Sequence, residues 1–218
     1  MNKTAESLHL DRIVGKEISE RKYYNLIGAN LAYGLILNII MVATLGDMAR
    51  HMNMWLFLIF YFVACFAGTL MMAASNNAVT SFIGYNLVVI PVGLLLASAL
   101  PSYNLNDIAF AFVEALGVTA IMIIVANIKP DWFRGMGKSL LTALLAFIFV
   151  EIIMMLFGVD FIWMDFIAVG IFTLLVGYDW SVAQDYHKSS ITAILVASSL
   201  YLDIINLFLR LLNIKSKD

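Results

Sequence analysis

Seven continuous apolar runs constrain this 218-residue chain more than any other feature. They lie at about Tyr24–Leu45, Met54–Ala74, Phe82–Leu100, Ile108–Asn127, Lys138–Phe157, Phe161–Tyr178 and Ser190–Leu212. Each is close to the ~20 residues that a helix needs to cross a ~30 Å hydrocarbon core at ~1.5 Å per residue. Backbone groups inside a bilayer must be satisfied within the segment, so runs of this kind fold as helices. They do not alternate, which excludes a β-barrel. The sequence therefore predicts an all-α membrane protein, a seven-transmembrane-helix bundle. Hydrophobic residues at 62% and charged residues at 13% agree, against roughly 45–50% and about 25% in soluble domains. A disordered chain is excluded, and the composition argues against a soluble globular enzyme.

The connections are short and carry the breakers: Pro101 with Asn104 and Asn106, then Lys129-Pro130-Asp131, then Gly158 with Asp160. Residues 1–23 form a polar tail of mixed charge, and 214–218 a short C-terminal tail. The bundle at 24–213 must then hold the chemistry. A cleaved signal would place a short apolar stretch before a small-residue site; the first run is longer and is expected to remain as a helix. With the N-terminus inside, the inner segments carry nine Lys and Arg and the outer ones four, which orients the N-terminus to the cytoplasm. Arg210, Lys215 and Lys217 oppose that census, and a six-span variant with a re-entrant last segment is the alternative. Pro91 is expected to kink the third span. Ala64 and Gly68, four apart, suit close helix contact. A net charge of −2 offers no footprint for nucleic acid. The single cysteine, Cys65, lies in an apolar run, so neither a disulfide framework nor a thiolate metal site is expected.

Ionisable groups inside spans are costly and mark function by default. Four qualify: Glu114, Glu151, Asp179 and Asp203. Asp179 closes the sixth run and Asp203 lies inside the seventh. The polar interval between these runs centres near His187-Lys188-Ser189-Ser190, and the midpoint of 179 and 203 is 191. In an antiparallel hairpin, residues equally far from the turn share a depth. The two carboxylates should therefore be neighbours, provided that the sixth helix continues past Trp180. Ser199, Asp203, Asn206 and Arg210 follow at i, i+4, i+7 and i+11, one stripe of a helix that is otherwise apolar. Such a helix suits a pore-lining or central position, or else the stripe joins helices and Arg210 neutralises Asp203. Glu114 and Glu151 lie at similar depths in the fourth and fifth spans. They are read as an outer carboxylate pair or as separate protonated structural residues.

Enzyme signatures are absent from the sequence. His9, His51 and His187 form no HExxH pair, and there is neither a GxSxG nor a phosphate-cradling glycine loop. An aspartyl intramembrane protease needs two aspartates in spans, but the second here lacks a Gly-Leu-Gly-Asp setting. No enzyme and no cofactor are expected.

Two blocks, Gly177-Tyr-Asp-Trp-Ser-Val-Ala-Gln184 and Ser199-Leu-Tyr-Leu-Asp-Ile-Ile-Asn-Leu-Phe-Leu-Arg-Leu-Leu212, resemble the last two spans of the Bax inhibitor-1 family in a bacterial version. Gly84-Tyr-Asn-Leu-Val-Val-Ile-Pro-Val-Gly93 and Glu114-Ala-Leu-Gly-Val-Thr-Ala-Ile-Met122 support them. The resemblance implies a bundle in which two three-helix layers enclose a central last helix. It also implies a pH-sensitive calcium leak gated by an aspartate pair, carried onto Asp179 and Asp203, with Glu114 at an acidic family position. The partners so implied are the bilayer of a bacterial inner membrane, permeating calcium held weakly by Asp179 and Asp203, and a quality-control protease of the FtsH type. Regulation of that protease is the alternative function, and needs no pore. The resemblance departs where some members carry arginines at the end of the second span. Here residues 71–80 hold no cation, and Asn213 stands where a basic residue is common, with Arg210 one turn earlier.

Overall fold

The structure, a computed structural model, describes residues 15–159 and 161–217. Residues 1–14, Asp160 and Asp218 lie outside the described residues, and with them most of the polar tail. The described chain is helical throughout: α1 (Glu20–Arg50), α2 (Met54–Ala74), α3 (Ala78–Ala99), α4 (Leu105–Ile128), a short α5 (Pro130–Gly135), α6 (Gly137–Leu156), α7 (Ile162–Ala183) and α8 (Ser190–Lys215). Seven of these are long and apolar enough to cross a membrane. α8 is one continuous helix of 26 residues.

Local chemistry sets the helix starts. Asn53, Asn77 and Asn104 each accept a backbone N–H with the side chain, from Leu56, Val79 and Asn106. Pro130 opens α5, where a missing N–H costs nothing. The largest difference from the apolar runs is at α1. It begins at Glu20, inside the segment read as tail, because Tyr23 and Ile27 are buried there. α3 runs unbroken through the buried Pro91.

The chain forms two compact units, each with three long helices and half of α8. The first holds α1, α2, α3 and residues 186–201. Gly68 of α2 and Gly84 of α3 approach closely, and a Cβ on Gly68 would stand 2.5 Å from the carbonyl oxygen of Gly84. Tyr85 and Tyr201 meet edge to face at 5.9 Å. Tyr85 donates to the Asn30 carbonyl at 2.8 Å, and Asn38 Nδ2 donates to the Tyr201 hydroxyl.

The second unit holds α4 to α7 and residues 202–218. Fully buried Phe133 of α5 lies against Gly177 of α7, two residues from Asp179, and leaves no room for a side chain there. Gly117 of α4, by contrast, faces open space. Gly177→Ala should therefore destabilise the protein by about 1–3 kcal/mol through overpacking. Gly117→Ala should stabilise it by about 0.5–1 kcal/mol. Chemical unfolding of the two variants in detergent measures the contrast, and equal effects would mean that α5 does not seat against α7.

α8 is the most buried span. Of its apolar window 78% is buried, against 11–56% in the other six. Between Ile191 and Leu209 the partly accessible residues are Leu195, Ser199, Leu202, Asn206 and Leu209, and from Arg210 to Lys215 only Leu212 is buried. The five up to Leu209 fall at steps of three and four residues, so one side of that stretch is the least buried, but Asp203, a member of the polar stripe, is itself buried.

Candidate functional site

Apart from Ser199, the groups at the candidate site belong to the second unit. α7 continues past Trp180 to Ala183, as the hairpin geometry requires. Its C-terminal end is fastened from outside. Asn127 at the end of α4 accepts from Trp180 Nε1 at 3.0 Å and Gln184 Nε2 at 3.1 Å. Arg134 of α5 donates to the Ser181 carbonyl at 3.2 Å, pairs with Asp185 at 2.8 Å and holds Asp131 at 2.9 Å. Arg134 is thus a cation at this end of α7, reaching it from the α4–α6 connection rather than from residues 71–80.

Asp179 stands half-buried in the last two turns of α7, and Asp203 is buried in α8 with 6% exposure. Their acidic side chains are near enough to act on each other. A carboxylate has no donor, so a hydrogen bond between the two would need one proton held between them. Asp203 Oδ2 is buried without a hydrogen-bond partner among the described residues. An ionised Asp203 would leave that oxygen unsolvated.

Arg210 does not neutralise Asp203. It turns to a second cluster formed by α6, α7 and the end of α8. Its guanidinium grips Glu151 at 2.6 Å through both terminal nitrogens and reaches Asp165 at 3.1 Å. It also lies 5.3 Å over the Phe147 ring. Asp165, only 1% exposed, accepts from Asn213 Nδ2 at 2.7 Å and lies 3.7 Å from Lys217. Glu114 pairs instead with Lys215 at 2.8 Å, and Lys215 sits over Phe110. The outer carboxylate pair suggested by the depths of Glu114 and Glu151 is therefore two separate carboxylate–cation contacts, each with its own cation from α8. Asn206 donates to its own helix at Leu202, and Ser199 lies in the first unit on the same half-buried face.

Asp165 is the functional-site neighbour that the apolar runs hide. The signal that finds it is the same hairpin symmetry, for the midpoint of 165 and 213 is 189 and that of 165 and 217 is 191. Its place in the first turn of α7 suits a carboxylate, because the helix dipole is positive there.

Residues 17–217 match the family described as "Inhibitor of apoptosis-promoting Bax1". An uncharacterised protein of Borreliella burgdorferi is 27% identical over 198 residues, which cover 86% of this chain and 84% of that protein.

Proposed function

The chain belongs to the Bax inhibitor-1 family, and on that premise we propose that it is a pH-sensitive calcium leak channel of a bacterial inner membrane, with its N-terminus cytoplasmic and the Asp179–Asp203 pair as the gate. The observation that carries this reading is the juxtaposition of two acidic side chains on adjacent helices, one of them buried.

The shared proton fastens α7 to α8. When it leaves, two like charges face each other at short range and push the helices apart. The closed arrangement holds one more proton than the open one, so by linkage a rise in pH favours opening. The opened pair offers Ca²⁺ hard oxygen ligands. Two carboxylates fall well short of the six to eight oxygens of a tight calcium site, which suits an ion that must leave as readily as it enters. The half-buried face of α8, with Ser199 and Asn206, is the surface along which the ion would pass. The Arg210 cluster, with no shared proton to lose, keeps the far end of α8 fastened while the pair separates.

Dye-reported calcium entry into proteoliposomes at several pH values tests the reading. Entry should be low in acid and rise as pH increases. No entry at any pH would sink the leak and favour an interaction protein that regulates an FtsH-type protease.

A further inference from the structure

Residues 15–19 lie across the turn that joins α7 to α8. The Ile18 N–H donates to the Lys188 carbonyl at 2.8 Å, and Glu17 forms an isolated antiparallel bridge with Ser189. His187 Nε2 stands 3.2 Å from the Gly15 carbonyl oxygen, which can only accept, so the imidazole donates. Gly15 has φ +84°, and a Cβ there would meet Ile191 Cδ1 at 2.9 Å. Only glycine combines that backbone with that contact.

The turn beneath is a knot of short polar bonds. Thr192 Oγ1 donates to the His187 carbonyl at 2.7 Å and receives the Ser189 N–H at 3.1 Å. The Thr192 N–H returns to the Ser189 hydroxyl at 3.2 Å, so Ser189 caps the start of α8. Tyr23, fully buried one turn into α1, is hydrogen-bonded to Thr192 as well. Segment 15–19 thus runs from the polar tail straight into α1 while its backbone is tied to the first residues of α8.

We propose that residues 15–19 are a strap that sets how firmly the hairpin carrying Asp179 and Asp203 is held. One bridge, to which the Ile18–Lys188 bond belongs, and one flanking hydrogen bond from His187 are few enough to release and re-form. Their seat at the turn gives them leverage on the helix that carries Asp203. A force on the chain before residue 15, such as a partner engaging it, would act on the hairpin through this contact. The effect on the hairpin stands by itself, and only its effect on ion flow rests on the leak reading.

The test is amide hydrogen exchange on the full-length protein in lipid nanodiscs, comparing wild type with Ile18→Pro and Gly15→Ala. The first removes the donor to Lys188, and the second is the milder change, acting through φ and Ile191. Both should speed exchange at residues 187–192 roughly three- to tenfold, the range expected for losing one net hydrogen bond. Both should also speed exchange at 204–207, several turns further along α8, by at least about threefold. Unchanged exchange at 187–192 would overturn the strap. Faster exchange at 187–192 with 204–207 unchanged would make it a local tie and equally overturn the proposal. Where wild type leaks calcium, the leak in acid should rise in both variants, and an unchanged leak would remove the strap from gating. A wild type that never leaks would count against the channel alone, and the exchange result would still decide the strap.

Discussion

Replacing Arg210 with methionine is expected to destabilise the protein by about 3–5 kcal/mol, the range for breaking a buried ion pair from one side. The size follows from what is left behind. Arg210 serves both oxygens of Glu151 and one of Asp165, and Asp165 is 1% exposed. Asp165 is enclosed while Glu151 is 30% exposed at the side chain, so the uncompensated carboxyl that costs most is Asp165, in a low-dielectric site. Asn213 continues to hold Asp165 and Lys217 stands nearby at 3.7 Å, so the loss is large without abolishing the fold. Lys215→Met gives the contrast. Its partner Glu114 is 46% exposed at the side chain, and such a pair contributes only about 0–1 kcal/mol. Unfolding titrations in detergent compare the two. Adding Glu151→Gln and Asp165→Asn to Arg210→Met should recover most of the loss, because no unpaired charge then remains. A single Arg210→Met variant within about 1 kcal/mol of wild type would mean that packing alone holds this end of α8.

The seven spans are legible because a bilayer-length apolar run has one viable fold, and their bounds shift only where side chains override the pattern. α1 starts early because Tyr23 and Ile27 pack inward, although charged residues surround them in sequence. Depth along a hairpin is legible too: it brings Asp179 to Asp203 because both helices run unbroken from one turn. Rotation about a helix axis is a different quantity, and equal depth says nothing of it. Glu114 and Glu151 share a depth yet face different cations. Asp165 stands four residues into its run, where a carboxylate reads as a helix-start residue, and only the partner end of α8 shows its burial. The strap leaves no side-chain pattern at all, since it is held largely by backbone groups of Gly15, Ile18 and Lys188. A hydrogen bond between main chains has no sequence signature.

Asp179→Asn and Asp203→Asn should each flatten the pH dependence of calcium entry. Opening in the wild type is driven by two charges appearing side by side on α7 and α8. At an effective dielectric of about 20, unit charges about 4 Å apart repel by about 4 kcal/mol. Since every 1.4 kcal/mol is a factor of ten, that sets an upper bound of roughly several hundred fold on the shift between closed and open populations. Either amide leaves one ionisable group, so deprotonation no longer creates a like-charge pair and the driving term vanishes. An amide donates to the remaining acidic side chain whether that side chain is protonated or not. The contact between the helices therefore persists across pH in each variant. The readout is the slope of entry against pH, measured in the same liposomes and at the same protein density as wild type. We expect less than about a twofold change from acid to alkaline conditions in both variants. The two residues differ in burial, Asp203 enclosed and Asp179 half-buried, so the variants should differ in the level of entry while agreeing in slope. A wild-type slope in both would take the carboxyl pair out of gating, even in a protein that conducts calcium.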